Sequence, residues 1–309
     1  MKKKLLYFVP AMFLLFASCA KEPVITSIDA VIDGYKVTFS AVVTDATEYL
    51  WDFGDGSTSA EAAPVHTYTM SGTFAVKLTA TGKGGEIFSN KEVKILPSFT
   101  EMLTGGPSAA NGKTWVLSTA YVAGVDGGGV VNNDMWVGFP TVENVLTAIG
   151  LPDEYDNELT FYSDGKYKVD VKNGQALIAG IYGMFTGTVV NVGNANNALG
   201  IYAATYTAPA SATWTFHTDN LVVDAVIDPS GTVVPAPHEI RTFSGKKWVS
   251  LSEGAYFGIL DFPTTRQFIV KEITPDKMTV AMFICGYFAD PTAWTLPSFL
   301  YHLTYVPKK

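Results

Sequence analysis

The sequence predicts an all-β protein of two domains, each a β-sandwich. Three observations carry this. Apolar and polar residues alternate with period two along several stretches, as in Tyr35-Lys36-Val37-Thr38-Phe39-Ser40-Ala41-Val42, the pattern of a half-buried strand. Turn signals built on Gly, Asp and Pro recur at the spacing of short antiparallel strands. The 28 Gly, 15 Tyr, 19 Phe and 6 Trp suit strands joined by tight turns rather than helices. At roughly 100 to 200 residues per domain, the 309 residues hold about two such units.

The leader comes first. Residues 1–18 place Lys2, Lys3 and Lys4 before an apolar run from Leu5 to Phe16 and then small residues, the layout of a signal peptide. The run is shorter than the roughly 20 residues a bilayer span needs, and Pro10 interrupts it. Phe16-Ala17-Ser18-Cys19 resembles a bacterial lipobox, with Phe16 in place of the usual Leu. The resemblance implies lipidation of Cys19 and a tether over 19–23; ordinary cleavage into the periplasm is the alternative. Ala20-Lys21-Glu22 resembles the export signal of surface lipoproteins, which implies an outer-membrane anchor facing the cell exterior. An inward-facing lipoprotein is the other option.

Residues 24–97 form the first module. Trp51-Asp52-Phe53-Gly54-Asp55-Gly56, then His66-Thr67-Tyr68, then Gly72-Thr73-Phe74-Ala75-Val76-Lys77-Leu78-Thr79 resemble the PKD domain, an immunoglobulin-like β-sandwich. The resemblance implies that Trp51 and Phe53 enter the core, that Asp55-Gly56 turns the chain, and that the module acts as a spacer or adhesion unit. His66 is expected to satisfy a backbone group. A calcium site at Asp52 and Asp55 lacks donors, since the ion takes about six to eight oxygens. Residues 98–107, rich in Pro, Gly and Ser, read as a linker.

Residues 108–309 form the second module. Lys113–Leu117 opens it as a strand. Glu158–Tyr162 and Tyr167–Asp170 make a hairpin around Asp164-Gly165. Ala212–Phe216, Asn220–Val223, Phe268–Ile273, Lys277–Phe283 and Phe299–Val306 continue the strands, and Val142–Ile149 reads as a short helix. A jelly-roll sandwich is the first choice of architecture and a small closed barrel the second. Asp126-Gly127-Gly128-Gly129 reads as a flexible turn, without the strand-to-helix context of a phosphate loop. Lys113-Thr114-Trp115, Tyr155-Asp156-Asn157-Glu158 with the hairpin that follows, and Ile269–Met282 resemble the C-terminal domain of PKD-bearing surface glycan-binding lipoproteins of polysaccharide-utilisation systems. The Gly180–Ala208 stretch departs from that pattern. The resemblance implies a polysaccharide or oligosaccharide ligand and an outer-membrane glycan importer as partner.

Charge and motifs narrow the chemistry. The formal charge is −8, and removing the lysine-bearing leader makes it more negative, so no basic face is available for nucleic acid. Sugar rings stack their C–H faces on aromatic planes and use amides and carboxylates for their hydroxyls. Trp136, beside Asn133 and Asp134 in a glycine-rich loop, is the best platform. Trp294 is similarly placed before the last strand, with Tyr287 and Tyr256 as flanking candidates; Trp115, Trp214 and Trp248 lie in strand-like runs that favour the core. Plain packing is the competing reading for Trp136 and Trp294. Cys285, in an apolar run, reads as a buried inert thiol. One enzymatic alternative stands on Glu154, Asp156 and Glu158, which have the E-x-D-x-E spacing of family 16 glycoside hydrolases. Those enzymes hold two carboxylates about 5 to 5.5 Å apart on one strand face; here Pro152-Asp153 implies a solvated acidic turn. No cofactor or metal motif appears. The sequence therefore favours a non-catalytic, lipid-anchored polysaccharide binder over an adhesin or scaffold, and both over a hydrolase.

Overall fold

The computed structural model describes residues 21–197, 199–228, 232–262 and 266–309. The signal peptide and Cys19 lie outside them. The chain divides into two compact units at Pro97/Ser98.

The first unit packs two sheets face to face. Strands β1 (Val24–Asp33), β2 (Lys36–Thr44), β3 (Glu48–Asp52), β4 (Thr58–Ser59), β5 (Val65–Thr67), β6 (Gly72–Gly82) and β7 (Gly85–Ile95) form sheets ordered β1-β2-β5 and β4-β3-β6-β7. Alternation decides the inward face: Val37 and Phe39 from β2, Trp51 from β3, and Val76 and Leu78 from β6 are buried together with Phe53 and Tyr68. The turn after β3 is held by aspartates, Asp52 accepting from the Gly54 N–H at 2.9 Å and Asp55 from the Ser57 N–H at 3.0 Å. His66 does not serve a backbone group as expected. Its ring stacks on Phe53 at 4.2 Å, and Nε2 lies 2.7 Å from the Asp55 carboxylate. Burial would raise the Asp55 pKa, but hydrogen bonds from Ser57 and His66 outweigh it and leave the group below its ordinary value.

The second unit contains α1 (Phe99–Thr104), β8 (Lys113–Leu117), β9 (Gly127–Val130), β10 (Phe139–Pro140), α2 (Val145–Ala148), β11 (Glu158–Phe161), β12 (Lys166–Asp170), β13 (Gln175–Ala179), α3 (Gly180–Thr186), β14 (Val189–Asn191), β15 (Ile201–Thr205), β16 (Ala212–His217), β17 (Leu221–Val226), β18 (His238–Phe243), β19 (Lys247–Leu251), β20 (Gln267–Ile273), β21 (Met278–Ile284) and β22 (Phe299–Pro307). Eight of these strands run antiparallel in the order β8-β11-β12-β16-β19-β20-β21-β22, and β22 pairs back onto β8. The sheet is therefore closed. The all-β reading holds, but the architecture is the barrel rather than the jelly roll. The eight strands follow one another around the barrel in chain order, with other strands inserted between β8 and β11, β12 and β16, and β16 and β19, whereas a jelly roll needs long crossings between two sheets.

Barrel closure explains the burial. Trp115, Phe161, Phe268 and Tyr305 fill the interior with Tyr256 and Phe257 of the β19–β20 connection, Phe257 stacking on Phe268 at 4.1 Å. The interior is a packed core. The β17–β18 hairpin covers one outer face through Leu221, Val223 and Phe243, which meet Ile269, Ala281 and Phe283. That is why every residue of β21 is buried and why its sequence is apolar without a break.

Three local expectations change. The segment 98–107 is not a linker in the second unit's own frame: α1 buries Phe99 and Leu103 in the barrel core, and the Trp115 indole N–H donates to the Leu103 carbonyl at 2.9 Å. Gly127–Gly129 is not a flexible turn but a buried strand, β9, paired with both β22 and β10. The helix expected over Val142–Ile149 is confined to α2, Val145–Ala148.

Candidate binding site

Two surfaces of the barrel unit gather aromatic side chains. The first is the loop between β9 and β10. Here Trp136 is 64% exposed, with Asn133 and Asp134 also exposed beside it. The loop is braced rather than free. Asn132 accepts from the Trp136 N–H at 3.2 Å and donates to the Val130 carbonyl at 2.9 Å, and the Gly138 N–H donates to the Gly128 carbonyl at 2.9 Å. The indole lies across Gly138, where a β-carbon would come within 2.5 Å of the ring. The strand glycines work the same way: a β-carbon at Gly128 would overlap the Phe139 ring, and one at Gly129 would overlap the Trp136 carbonyl.

The second surface is an apolar groove of about 530 Å³ lined by Phe139, Ile181, Phe288, Phe299 and Tyr301 among others. It adjoins a pocket of about 280 Å³ bounded by Ile181, Met184, Phe185, Phe288 and Trp294. Ile181 and Phe288 are common to both, so the two depressions share a wall beside α3. Trp294 is half-buried and fixed at its rim. Asp290 caps the short helical turn before it, accepting from the Thr292 and Ala236 N–H groups at 2.9 and 2.8 Å, and the indole N–H reaches the Phe288 carbonyl at 3.2 Å. Phe185 meets the Trp294 ring edge-on at 4.6 Å.

The structure thus brings Trp136, Asn133 and Asp134 together on one loop and sets Trp294 on the groove, with Phe139 of β10 leading from the loop into it. It removes the other two candidates. Tyr256 is 1% exposed because the β19–β20 connection plugs the barrel, and Tyr287 is 1% exposed with its hydroxyl donating to the Val233 carbonyl at 2.6 Å. Neither presents a face to a ligand. Sequence reading missed Phe139, Met184, Phe185 and Phe288; for Met184 and Phe185 the one signal was that Gly180–Ala208 departs from the pattern of the resembled glycan-binding domain, and Phe139 and Phe288 carried none.

The acidic constellation is not assembled. Pro152–Asp156 is a 3₁₀ turn rather than a strand. Glu154 is buried, not solvated as expected, and accepts from the side-chain amides of Asn157 and Asn173 at 2.7 and 3.1 Å. Burial raises its pKa against the pull of those amides. Asp156 faces solvent, and Glu158 is bound by Lys172 and Lys308. The cavity at Glu154 holds about 20 Å³, room for about one water. Among the described residues no group of three or more His, Cys, Asp or Glu is placed to hold a metal ion. Cys285 is buried, and both its N–H and its thiol bond the Asp261 carboxylate.

Comparison with known proteins identifies the first unit: residues 20–96 match the family model of the PKD domain. The chain is 41% identical over 59 residues to the pre-pro-metalloprotease PrtV of Vibrio cholerae, an alignment covering 18% of this chain and 6% of that protein. The solved PKD1 domain of PrtV is 35% identical, covering 24% of this chain and 95% of that one, with a TM-score of 0.22. A chain from a structural study of carbohydrate-binding modules of the β-sandwich superfamily covers 94% of this chain at 12% identity and a TM-score of 0.25, too low to bear on fold or ligand. The protein is accordingly an all-β chain with an N-terminal PKD domain followed by a larger β-rich domain. Among the described residues no helix is long and apolar enough to cross a membrane.

Proposed function

We propose that this chain is a non-catalytic lipoprotein of the outer membrane, facing the cell exterior, that captures a polysaccharide through its C-terminal barrel and passes it to an importer or hydrolase. The observation that carries the reading is Trp136: a large indole left 64% exposed on a loop whose backbone and glycines hold it in place. An exposed aromatic on a rigid support stacks on a sugar ring without first paying for loop ordering. Asn133 and Asp134 supply amide and carboxylate partners beside it, and the groove leading to Trp294 gives a polymer a second contact. Cys19 carries the anchor, and the PKD domain lies between it and the barrel along the chain. Many anchored copies on one polymer make weak single sites sufficient.

Native affinity electrophoresis in gels containing plant and host polysaccharides tests this. Retardation by at least one polymer is expected, reduced severalfold or more by Trp136→Ala. Retardation by none, or retardation indifferent to Trp136, overturns the reading. One observation favours an adhesin or scaffold instead: the groove beside α3 is lined almost wholly by apolar side chains, which suits a protein partner as well as a sugar face.

A further inference from the structure

A third depression, on another side of α3, has a different chemistry. It measures about 220 Å³ and is lined by Tyr182, Thr188, Thr205, Tyr206, Thr207, Asp261 and Arg266, with Gly254, Ala255 and Leu260 completing the wall. At ~30 Å³ per water this is about seven waters' worth of space, suited to one sugar ring rather than an oligomer. Its aromatic walls are fixed. The Tyr206 hydroxyl donates to the Gly254 carbonyl at 2.7 Å and its ring meets Tyr256 edge-on at 4.8 Å; Tyr182 meets Phe262 edge-on at 5.4 Å. Three threonines offer hydroxyls that both donate and accept.

The charge in this pocket has a direction. Asp261 is committed inward: one carboxylate oxygen accepts from the Phe262 N–H at 2.8 Å and the other from the Cys285 N–H at 2.7 Å. Arg266 has no carboxylate within ion-pair distance among the described residues. The guanidinium is thus the charge available to a ligand, and its planar fork matches a carboxylate through two parallel hydrogen bonds.

We propose that this pocket binds a uronic acid unit of the captured polymer, with Arg266 taking the carboxylate, Tyr182 and Tyr206 bounding the ring, and the threonines meeting its hydroxyls. This rests on the polysaccharide-capture reading and names the class of polymer. Binding by the full chain is measured calorimetrically against polygalacturonate, alginate, hyaluronan and glucuronoxylan, each beside its carboxyl-reduced counterpart, and against neutral xyloglucan and starch. At least one uronate polymer should bind, its reduced form about tenfold or more weaker, and Arg266→Gln should cause a similar loss, with Arg266→Lys falling between. Binding confined to neutral polymers, or equal for native and reduced forms, overturns the uronate assignment and leaves capture standing, as does binding that folded Arg266→Gln retains. The comparison of native with reduced polymer uses the unaltered chain and stands even if the variant does not fold. Binding of no polymer of either kind overturns both.

Discussion

At the scale of single residues, the barrel unit separates look-alike side chains by where the chain takes them. Trp115 and Trp136 are both tryptophans near glycine-rich turns, yet one is wholly buried with its N–H on Leu103 and the other is mostly exposed. Their settings in the sequence differed, Trp115 lying in the strand-like run Lys113–Leu117 and Trp136 in a glycine-rich loop, which favoured the core for the first and left packing or exposure open for the second. Tyr256 and Tyr287 carried no such signal, because the loops that bear them fold inward. Asp261 is a further case, invisible in the sequence and decisive for pH behaviour. Burial lifts its pKa from an ordinary 3.8 to about 7, against the pull of the Cys285 and Phe262 hydrogen bonds. Below the unfolded value the folded and unfolded states are both protonated and the group's contribution is fully present. As pH rises from about 4 to about 7 the unfolded chain ionises first, so that contribution is lost, and above 7 it is flat. Urea unfolding of wild type and Asp261→Asn should therefore show a stability gap that narrows between about pH 4.5 and 7.5, by on the order of 1–4 kcal/mol. A gap independent of pH would contradict the assignment.

At the scale of elements, β9 shows why glycine was misread. Gly127–Gly129 has the composition of a flexible turn, but those residues pair with β22 on one side and β10 on the other. Their lack of side chains is what lets the Phe139 ring and the Trp136 backbone lie against the strand. Gly129→Ala should push the Trp136 loop outward while leaving the barrel closed. The expected outcome is a severalfold loss of polysaccharide retardation with a stability cost of roughly 1–3 kcal/mol, read by affinity electrophoresis beside thermal unfolding. Unchanged retardation would show that the brace does not position the platform. Strands with clean alternation, such as β2 and β12, were legible from sequence, as was β21 through its unbroken apolar run. Helix α3 was not. Gly180 and Gly183 are poor helix formers, and the element is held by what surrounds it, Ile181 and Gly183 being buried.

At the scale of the whole molecule, α1 belongs to the barrel even though its neighbours in sequence look like a connector. A chain beginning at Ser98 should fold cooperatively by itself, since the second unit keeps its core. One beginning at Ser108 loses Phe99, which stacks on Phe216 at 4.1 Å, and Leu103, which is fully buried. Two such losses cost about 4–10 kcal/mol together, comparable to the whole stability of a typical domain. Calorimetry of the two truncated chains should give a sharp transition for the first and none, or one greatly lowered in temperature, for the second; equal transitions would return α1 to the status of a linker. The sequence by itself determined the two-domain all-β organisation, the PKD motif and the placing of Trp136 in a loop rather than a strand, because alternation, turn chemistry and motif spacing are local and each strand or loop reports its own environment. Only the tertiary structure decided that the second domain closes into a barrel, that Tyr256 and Tyr287 turn inward, and that Tyr182, Tyr206 and Arg266 meet around one pocket. Closure depends on β22 finding β8 nearly two hundred residues earlier, and no period within a strand encodes the partner it will pair with.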